Sequence, residues 1–292
     1  MLKKLGAGVL GVGAMSLLPS QANAQFNRGR LSGRGFLPPQ SNAPVRDVDV
    51  LNFALNLEYL EAEYYSYAVS GLGIESFGVG VDGAGTTGMV TVRSNAQVPF
   101  VTPAIAQYAA EIATDERNHV NFLRTALGDA KVARPAINLR ESFATAAEVA
   151  GLGAGFDPFL NENTFLIGSF VFEDVGVTAY KGAARLIDNK DFLEAAAGIL
   201  AVEAYHAASI RLLMLQRNLA DAAEAISALR DIAAGTEADE GIIKNGEPNI
   251  VPADANSIAF SRTAREVLNI VYLGKDLTRG GFFPESLNGR IN

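Results

Sequence analysis

The chain has 292 residues, and 49% of them are apolar, enough to bury a sizeable core in one large domain or one domain with extensions. The net charge is −8 and no basic stretch with interleaved aromatic residues occurs, so nucleic acid is not expected as a partner. Cysteine is absent, which excludes iron–sulfur clusters, zinc–cysteine sites, disulfides and thiol catalysis.

The first 24 residues have the pattern of an export signal. A basic start, "MLKK", precedes the apolar stretch "LGAGVLGVGAMSLL", and "ANA" before Gln25 is typical of a cleavage site. The alternative is a membrane anchor, but about fourteen apolar residues fall short of the roughly twenty that a span requires. We therefore expect residues 1–24 to be a cleaved signal peptide, with no stable membrane span afterwards. The mature protein would then be exported, to the periplasm or the extracellular space.

The next segments read as an arm, a helix and an insertion. Residues 25–46 are rich in Gly, Pro, Arg and Ser, which predicts an extended N-terminal arm. Helix one runs from about Asp47 to Gly71, with apolar residues at alternating spacings of four and three. Residues 71–101 form a Gly/Val/Thr-rich insertion, expected to be loop with some β-ribbon.

Three further helices complete a predicted bundle over residues 47–218. Helix two begins at Thr102 with Pro103 in its first turn and ends at Gly128. Helix three covers about residues 164–187, and helix four opens with a capping box formed by Asp191 and Glu194 and runs to about Asn218. The connection between helices two and three is long enough to cross the bundle from end to end, with a short helix near residues 141–150.

Residues 219–292 are predicted to be a C-terminal extension. The segment "SRTAREVLNIVYLG" predicts one short helix there, capped by Thr263 and Glu266. The predicted fold class is therefore all-α: a four-helix bundle with a long crossover, a Gly-rich insertion after helix one and a C-terminal extension.

The buried seam of each bundle helix carries acidic residues near its middle. The chain has two histidines, and each follows a glutamate by three positions, which places both side chains on one helix face. Four carboxylates and two imidazoles would thus converge at the bundle centre, which is the ligand set of a dimetal carboxylate site. These residues are Glu58, Glu116, His119, Glu173, Glu203 and His206.

This set predicts two divalent cations, iron or manganese, as the cofactors. Two such ions would neutralise four carboxylates that could not remain ionised in an apolar interior. Oxygen-rich ligands suit manganese and iron alike, so the metal stays open.

Alternatives remain for individual residues. Glu61 lies one turn beyond Glu58 on an adjacent apolar stripe and is a second candidate ligand, although the spacing from Glu58 to Tyr65 repeats that from Glu173 to Tyr180. Glu58 and Glu173 could instead be buried acids paired with arginine. Asp115 falls on another face of helix two, where we expect it to be solvated.

Tyr65 and Tyr180 are the candidate catalytic residues beside the metal. The alternative is that both rings only pack in the core. In either case a buried hydroxyl needs a hydrogen-bond partner, such as a ligand carboxylate.

The segments "LNFALNLEYLEAEYY", "DERNH", "FVFEDVGVTAY" and "VEAYH" together resemble the ferritin-like superfamily. The export signal and the tail "NIVPADANSIAFSRTAREVLNIVYL" more specifically resemble exported bacterial ferritin-like proteins related to plant desiccation-related proteins. The resemblance implies that Glu58 and Glu173 are terminal ligands, that Glu116 and Glu203 bridge the metals, and that His119 and His206 each bind one.

The resemblance also implies a role in oxidative or desiccation stress. The expected activity is redox chemistry on peroxide or dioxygen, of catalase or ferroxidase type. Peroxide disproportionation needs no outside electron donor, which suits a chain without iron–sulfur partners. The alternative is a non-enzymatic exported metal-binding or protective structural protein. A homo-oligomer is open, whereas the insertion and the tail argue against a ferritin cage.

Overall fold

A computed structural model describes residues 45–292, so the predicted signal peptide and nearly all of the predicted arm lie outside the described residues. Predicted helices one to four correspond to α1, α2, α4 and α5, and the all-α fold class is confirmed. The helices of this part are α1 (Asp47–Ser70), α2 (Pro103–Leu127), α3 (Glu141–Val149), α4 (Glu162–Ala184), α5 (Lys190–Gln216), α6 (Ala220–Ala234) and α7 (Ala264–Val271). The short strands are β1 (Val90–Thr91), β2 (Ile137–Asn138), β3 (Ile243–Lys244) and β4 (Glu247–Pro248).

The helices pack as two pairs. Helix α1 lies against α2, and α4 lies against α5, with further contact between α1 and α4. Helix α5 does not open with the predicted capping box, because the Asn189 side chain takes that role. Its carboxamide oxygen accepts hydrogen bonds from the amides of Asp191 and Phe192, at 2.8 and 3.3 Å. Asn189 precedes Asp191 and so meets the free amides of the first turn.

The Gly-rich insertion packs against the crossover that follows α2. Strand β1 pairs in parallel with β2, with Val90 opposite Ile137, so the expected ribbon is formed with the crossover rather than within the insertion. Glycine permits this close approach. A Cβ atom at Gly88 would lie 2.1 Å from the backbone nitrogen of Ala136, a distance that no side chain could tolerate.

The prediction of one short helix in the C-terminal extension was wrong, since two are present, α6 and α7. Helix α5 ends at Gln216, and Asn218 then adopts a left-handed conformation with φ of 57° before α6 begins. Neither glycine nor proline marks this boundary in the sequence. The start of α6 therefore cannot be separated from the end of α5 by breaker residues alone.

A buried charge network attaches the extension to the bundle. Asp174 of α4 accepts hydrogen bonds from Arg211, at 2.8 Å, and Arg230, at 3.1 Å. Asp239 of the extension pairs with Arg230 at 2.6 Å and with Arg262 at 2.5 Å. Because a buried charge that loses its partner is strongly destabilising, this network fixes the extension beside the middle of α4.

By length and composition alone, one helix in residues 45–292 could cross a membrane, namely α5. Core helices of soluble proteins meet the same criterion, and α5 contributes Glu203 and His206 to the buried centre of the bundle.

Candidate metal centre

Four helices bring all seven candidate metal ligands to the middle of the bundle. The two histidine rings lie 6.4 Å apart between their centroids, and all seven side chains are buried. Helix α1 contributes Glu58 and Glu61, α2 contributes Glu116 and His119, α4 contributes Glu173, and α5 contributes Glu203 and His206.

Glu116 lies between the two imidazoles. Its Oε2 atom is 3.5 Å from Nδ1 of His119, and its Oε1 atom is 3.1 Å from Nδ1 of His206. Both Nδ1 atoms therefore face the same carboxylate from opposite sides. One carboxylate with an oxygen toward each of two imidazoles could offer one oxygen to each of two cations.

Each histidine has its own group of carboxylates. Beside Nδ1 of His119 lie Oε2 of Glu58, at 3.2 Å, and Oε1 of Glu203, at 3.8 Å. Beside Nδ1 of His206 lies Oε2 of Glu173, at 3.6 Å. Within each group the potential ligand atoms are within 4.8 Å of one another, and the two groups share Glu116.

Glu61 also reaches the centre. Its carboxylate forms a third group with those of Glu173 and Glu203, again within 4.8 Å. Glu58 and Glu61 are thus not exclusive alternatives, because Glu58 lies beside His119 whereas Glu61 lies on the side of Glu173. Glu203 groups with His119 and with Glu61 but not with His206.

The donor atoms fit divalent cations because the protein leaves them unsatisfied. Both oxygens of Glu116 and of Glu203 are buried without a hydrogen-bond partner, as are Nδ1 of His206 and one oxygen each of Glu61 and Glu173. A buried unsatisfied polar group costs about 1–3 kcal/mol, and more when it is charged. Bound cations would satisfy these atoms and offset the carboxylate charge.

Burial and mutual repulsion disfavour ionised carboxylates at the centre. Burial raises the pKa of Glu58 to about 7 and that of Glu173 to about 8. Burial, with repulsion from neighbouring carboxylates, also raises the pKa values of Glu61 and Glu203 well above their usual range. In the metal-free protein, these carboxylates therefore tend to hold protons where cations would otherwise supply positive charge.

Glu116 and the histidines behave differently because they face one another. Burial raises the pKa of Glu116, but contacts with the two imidazoles outweigh this effect and lower it to about 2. Burial lowers the pKa values of the imidazoles, but the surrounding carboxylates raise that of His119 to about 11 and that of His206 to about 9. In the metal-free protein the centre is therefore a cluster of carboxylates and imidazoles that is held together by bound protons, a proton-bound cluster.

The two candidate tyrosines bond to the carboxylates in a crossed arrangement. The Tyr65 hydroxyl of α1 donates a hydrogen bond to Glu173 of α4. The Tyr180 hydroxyl of α4 donates one to Glu58 of α1. Each tyrosine follows a glutamate by seven positions on its own helix but holds the glutamate of the facing helix. The hydroxyls thereby orient two candidate ligands.

The expectation that Asp115 is solvated holds only in part, because Asp115 also contacts the centre. Its Oδ2 atom lies 3.2 Å from Nε2 of His206, and its side chain is 36% exposed. Consecutive helix residues differ in direction by about 100°, so Asp115 can face α5 while Glu116 faces the centre. With a metal at Nδ1, a carboxylate on the second imidazole nitrogen would hold the Nε2–H form of the ring and orient it. The sequence signal was the acidic residue directly before Glu116.

The arginine alternative for Glu58 and Glu173 does not hold in the part of the chain that the structure describes. Both glutamates are hydrogen-bonded by tyrosine and lie at ion-pair distance from histidine. The arginines of α5 and α6 bond instead to Asp174, the residue after Glu173.

Comparison with known proteins identifies the family of the chain. The family model of the ferritin-like domain matches residues 46–216. The chain is 31% identical over 252 residues to the desiccation-related protein PCC13-62 of Craterostigma plantagineum, covering 78% of each chain. It is 28% identical over 269 residues to the ferritin-like catalase Nec2 of Nesocodon mauritianus, covering 84% of each. No solved structure matches the chain. The protein therefore belongs to the ferritin-like family.

Proposed function

We propose that this protein is a dimetal oxidoreductase that disproportionates hydrogen peroxide, with iron or manganese as the metal. The observation that carries the proposal is the position of Glu116, with one oxygen toward each of two buried imidazoles. The seven candidate ligands are Glu58, Glu61, Glu116, His119, Glu173, Glu203 and His206. Two bound metal ions would supply a pair of redox centres close enough to act on both oxygens of one peroxide.

Peroxide disproportionation balances without a further reactant. One peroxide loses two electrons and two protons and becomes dioxygen, while a second gains them and becomes two waters. The chain has no cysteine to hold an iron–sulfur electron donor of its own. A reaction in which the same molecule is both donor and acceptor suits this composition best.

The side chains around the centre have three tasks in this proposal. Asp115 would accept a hydrogen bond from Nε2–H of His206 when a metal occupies Nδ1, and so orient the imidazole toward that metal. Tyr65 and Tyr180 hold the carboxylates of Glu173 and Glu58 in fixed orientations. The buried surroundings keep bulk water away from the reacting oxygens.

Two other functions follow from specific observations. The same ligand set also suits oxidation of Fe²⁺ by dioxygen, a ferroxidase activity. A non-enzymatic, protective role is supported by the similarity to a protein whose name describes desiccation. In that case the metal ions would serve to stabilise the bundle.

We further propose that the protein acts after export, in the periplasm or outside the cell. The proposal is based on the signal-like pattern of residues 1–24. Sequencing the N-terminus of natively produced protein tests it: a mature chain that starts at Gln25 supports export, whereas a retained Met1 contradicts it.

The activity is tested on purified protein of known metal content. Metal-free protein is loaded with Mn²⁺ or with Fe²⁺ under nitrogen, and dioxygen evolution from peroxide is followed with an oxygen electrode. Catalytic oxygen release by either form supports the proposal. Full metal loading with no release contradicts it and favours the protective role. Dioxygen-dependent oxidation of Fe²⁺, without oxygen release from peroxide, favours the ferroxidase role.

A further inference from the structure

A small cavity of about 20 Å³ borders the candidate metal centre. Its polar wall is Glu61, one of whose oxygens has no hydrogen-bond partner. Gly176 forms another part of the wall, and a Cβ atom there would lie 2.2 Å from Oε2 of Glu203. Because Gly176 has no side chain, the Glu203 carboxylate packs directly against the backbone of α4 there. The inner cavity therefore touches the centre at Glu61, and Gly176 lies beside both the cavity and Glu203.

Apart from Glu61, the inner cavity is lined by apolar residues. Residues of α1 and α4 line one side of it. Ile270 and Val271 of α7 and Phe282 of the C-terminal extension line the rest. A space of this size holds one small molecule, since one water needs about 10–15 Å³. A water there would find few of the two to four polar partners that an ordered water requires, so the space favours an apolar occupant.

A second, larger cavity of about 240 Å³ lies among α3, α4, α6 and α7. Its lining is almost entirely apolar, including Phe143, Phe156 and Ile226. The rim reaches solvent, because Val149 is 68% exposed and Ile232 is 76% exposed. This outer cavity therefore opens at the protein surface.

The two cavities share a wall. Val171 of α4 and Ile270 of α7 line both of them and so form part of the wall between the outer and the inner space. A rotamer change of a valine or isoleucine side chain is a local motion on a fast timescale. A route from the exposed rim to Glu61 at the centre would therefore pass Val171 and Ile270.

We propose that this route carries dioxygen between the metal centre and the solvent. The inference rests on the proposed function, in which dioxygen is the product of peroxide disproportionation. Dioxygen is small and apolar and partitions into apolar cavities, whereas peroxide and water need hydrogen-bond partners. The C-terminal extension contributes none of the candidate metal ligands. In this proposal, its helix α7 and Phe282 form the outer wall of the apolar route.

Xenon tests the route without any turnover, because it is an apolar gas that binds in dry apolar cavities. Crystals of the full chain are pressurised with xenon, and anomalous difference maps locate the atoms. We expect xenon in the outer cavity and beside Glu61 in the inner cavity. Absence of xenon from both cavities, or xenon only at unrelated sites, would overturn the proposal.

A substitution at the shared wall separates the route from general packing effects. We expect Ile270→Phe to reduce inner-cavity xenon at least tenfold at short exposure times while the outer site stays occupied. Ile232→Phe makes the same chemical change at the exposed rim and serves as the matched control, with both xenon sites retained. Unchanged xenon occupancy beside Glu61 in a folded Ile270→Phe variant, confirmed by its diffraction map, would contradict passage between these side chains.

The two proposals can fail independently. Xenon in both cavities of a protein that shows no activity on peroxide leaves the apolar route in place and removes the catalase proposal. Oxygen evolution by a protein whose cavities exclude xenon has the opposite meaning, because the activity then stands and dioxygen must leave by another path.

Discussion

Nε2 of His206 lies 3.2 Å from a carboxylate oxygen of Asp115, and no described residue gives the Nε2 atom of His119 such a carboxylate partner. The two halves of the centre are therefore chemically different. A carboxylate on the outer nitrogen makes an imidazole a stronger and better oriented metal ligand. We expect the metal position beside His206 to be the tighter one.

Replacing Asp115 by asparagine tests this difference. We expect Asp115→Asn to weaken binding at one of two metal positions by about 10–100-fold, because the carboxylate no longer orients His206. Isothermal titration of the metal-free protein with Mn²⁺ measures both affinities. Asp129→Asn, an identical change at an exposed site after α2, is the control. Two unchanged affinities in Asp115→Asn would show that the contact is incidental.

The centre was largely readable from the sequence, because helical spacing of three and four fixes which side chains share a face. The side-chain contacts between different helices were harder to predict from the sequence. Tyr65 and Glu58 lie on one helix, but Tyr65 bonds to Glu173 across the bundle, and periodicity within one helix carries no information about that partner. The contact of Asp115 with His206 was not predicted for the same reason. The helical periodicity fixes the direction of the Asp115 side chain on α2. Which helix packs beside that side chain depends on the tertiary structure. Helix α6 was missed because neither glycine nor proline separates it from the end of α5 at Gln216.

Removing one tyrosine hydroxyl should affect stability as well as the centre. Tyr65→Phe leaves an oxygen of Glu173 buried without its donor, which we expect to lower the free energy of unfolding of the metal-free protein by about 1–3 kcal/mol. Urea denaturation followed by circular dichroism measures the change. Tyr205→Phe, at a side chain that is 74% exposed, should have almost no effect. Equal stabilities of the two variants would argue against the hydrogen bond from Tyr65 to Glu173.

The two α1 carboxylates, Glu58 and Glu61, should contribute unequally to metal binding. Glu58 lies 3.2 Å from His119 and is held by Tyr180, whereas Glu61 has no histidine beside it in the described residues. We expect Glu58→Gln to weaken metal affinity at least tenfold, which is about 1.4 kcal/mol or more in binding free energy, and Glu61→Gln to weaken it less. Competition with a chelator quantifies both losses. The opposite order would assign the principal α1 ligand to Glu61.

The metal-free protein should become less stable as the pH rises. Folding raises the pKa of Glu58 from 4.5 to about 7, that of Glu173 from 4.5 to about 8 and that of His206 from 6.5 to about 9. Between these values the folded state binds more protons than the unfolded state, so the free energy of unfolding falls with increasing pH. Because folding also raises the pKa of His119 from 6.5 to about 11, the predicted window extends from about pH 4.5 to about pH 11.

Denaturation at several pH values with and without metal checks this dependence. We expect the urea midpoint of the metal-free protein to be lower at the alkaline end of this pH window than at the acidic end. Added Mn²⁺ should remove or reverse the trend, because cations replace the protons on the carboxylates and bind more tightly as those protons leave. A metal-free protein that gains stability toward alkaline pH would contradict the proton-bound cluster.

The most direct test of the central claim is the metal content of natively folded protein, measured by elemental analysis for the wild type and for Glu116→Gln. The account predicts two equivalents of iron or manganese per chain in the wild type and a loss of most of this metal in Glu116→Gln, because that carboxylate faces both histidines. Glu111→Gln, on the exposed face of the same helix, should retain both equivalents. A wild-type protein that binds no metal after reconstitution, or a Glu116→Gln variant that keeps both ions, would contradict it.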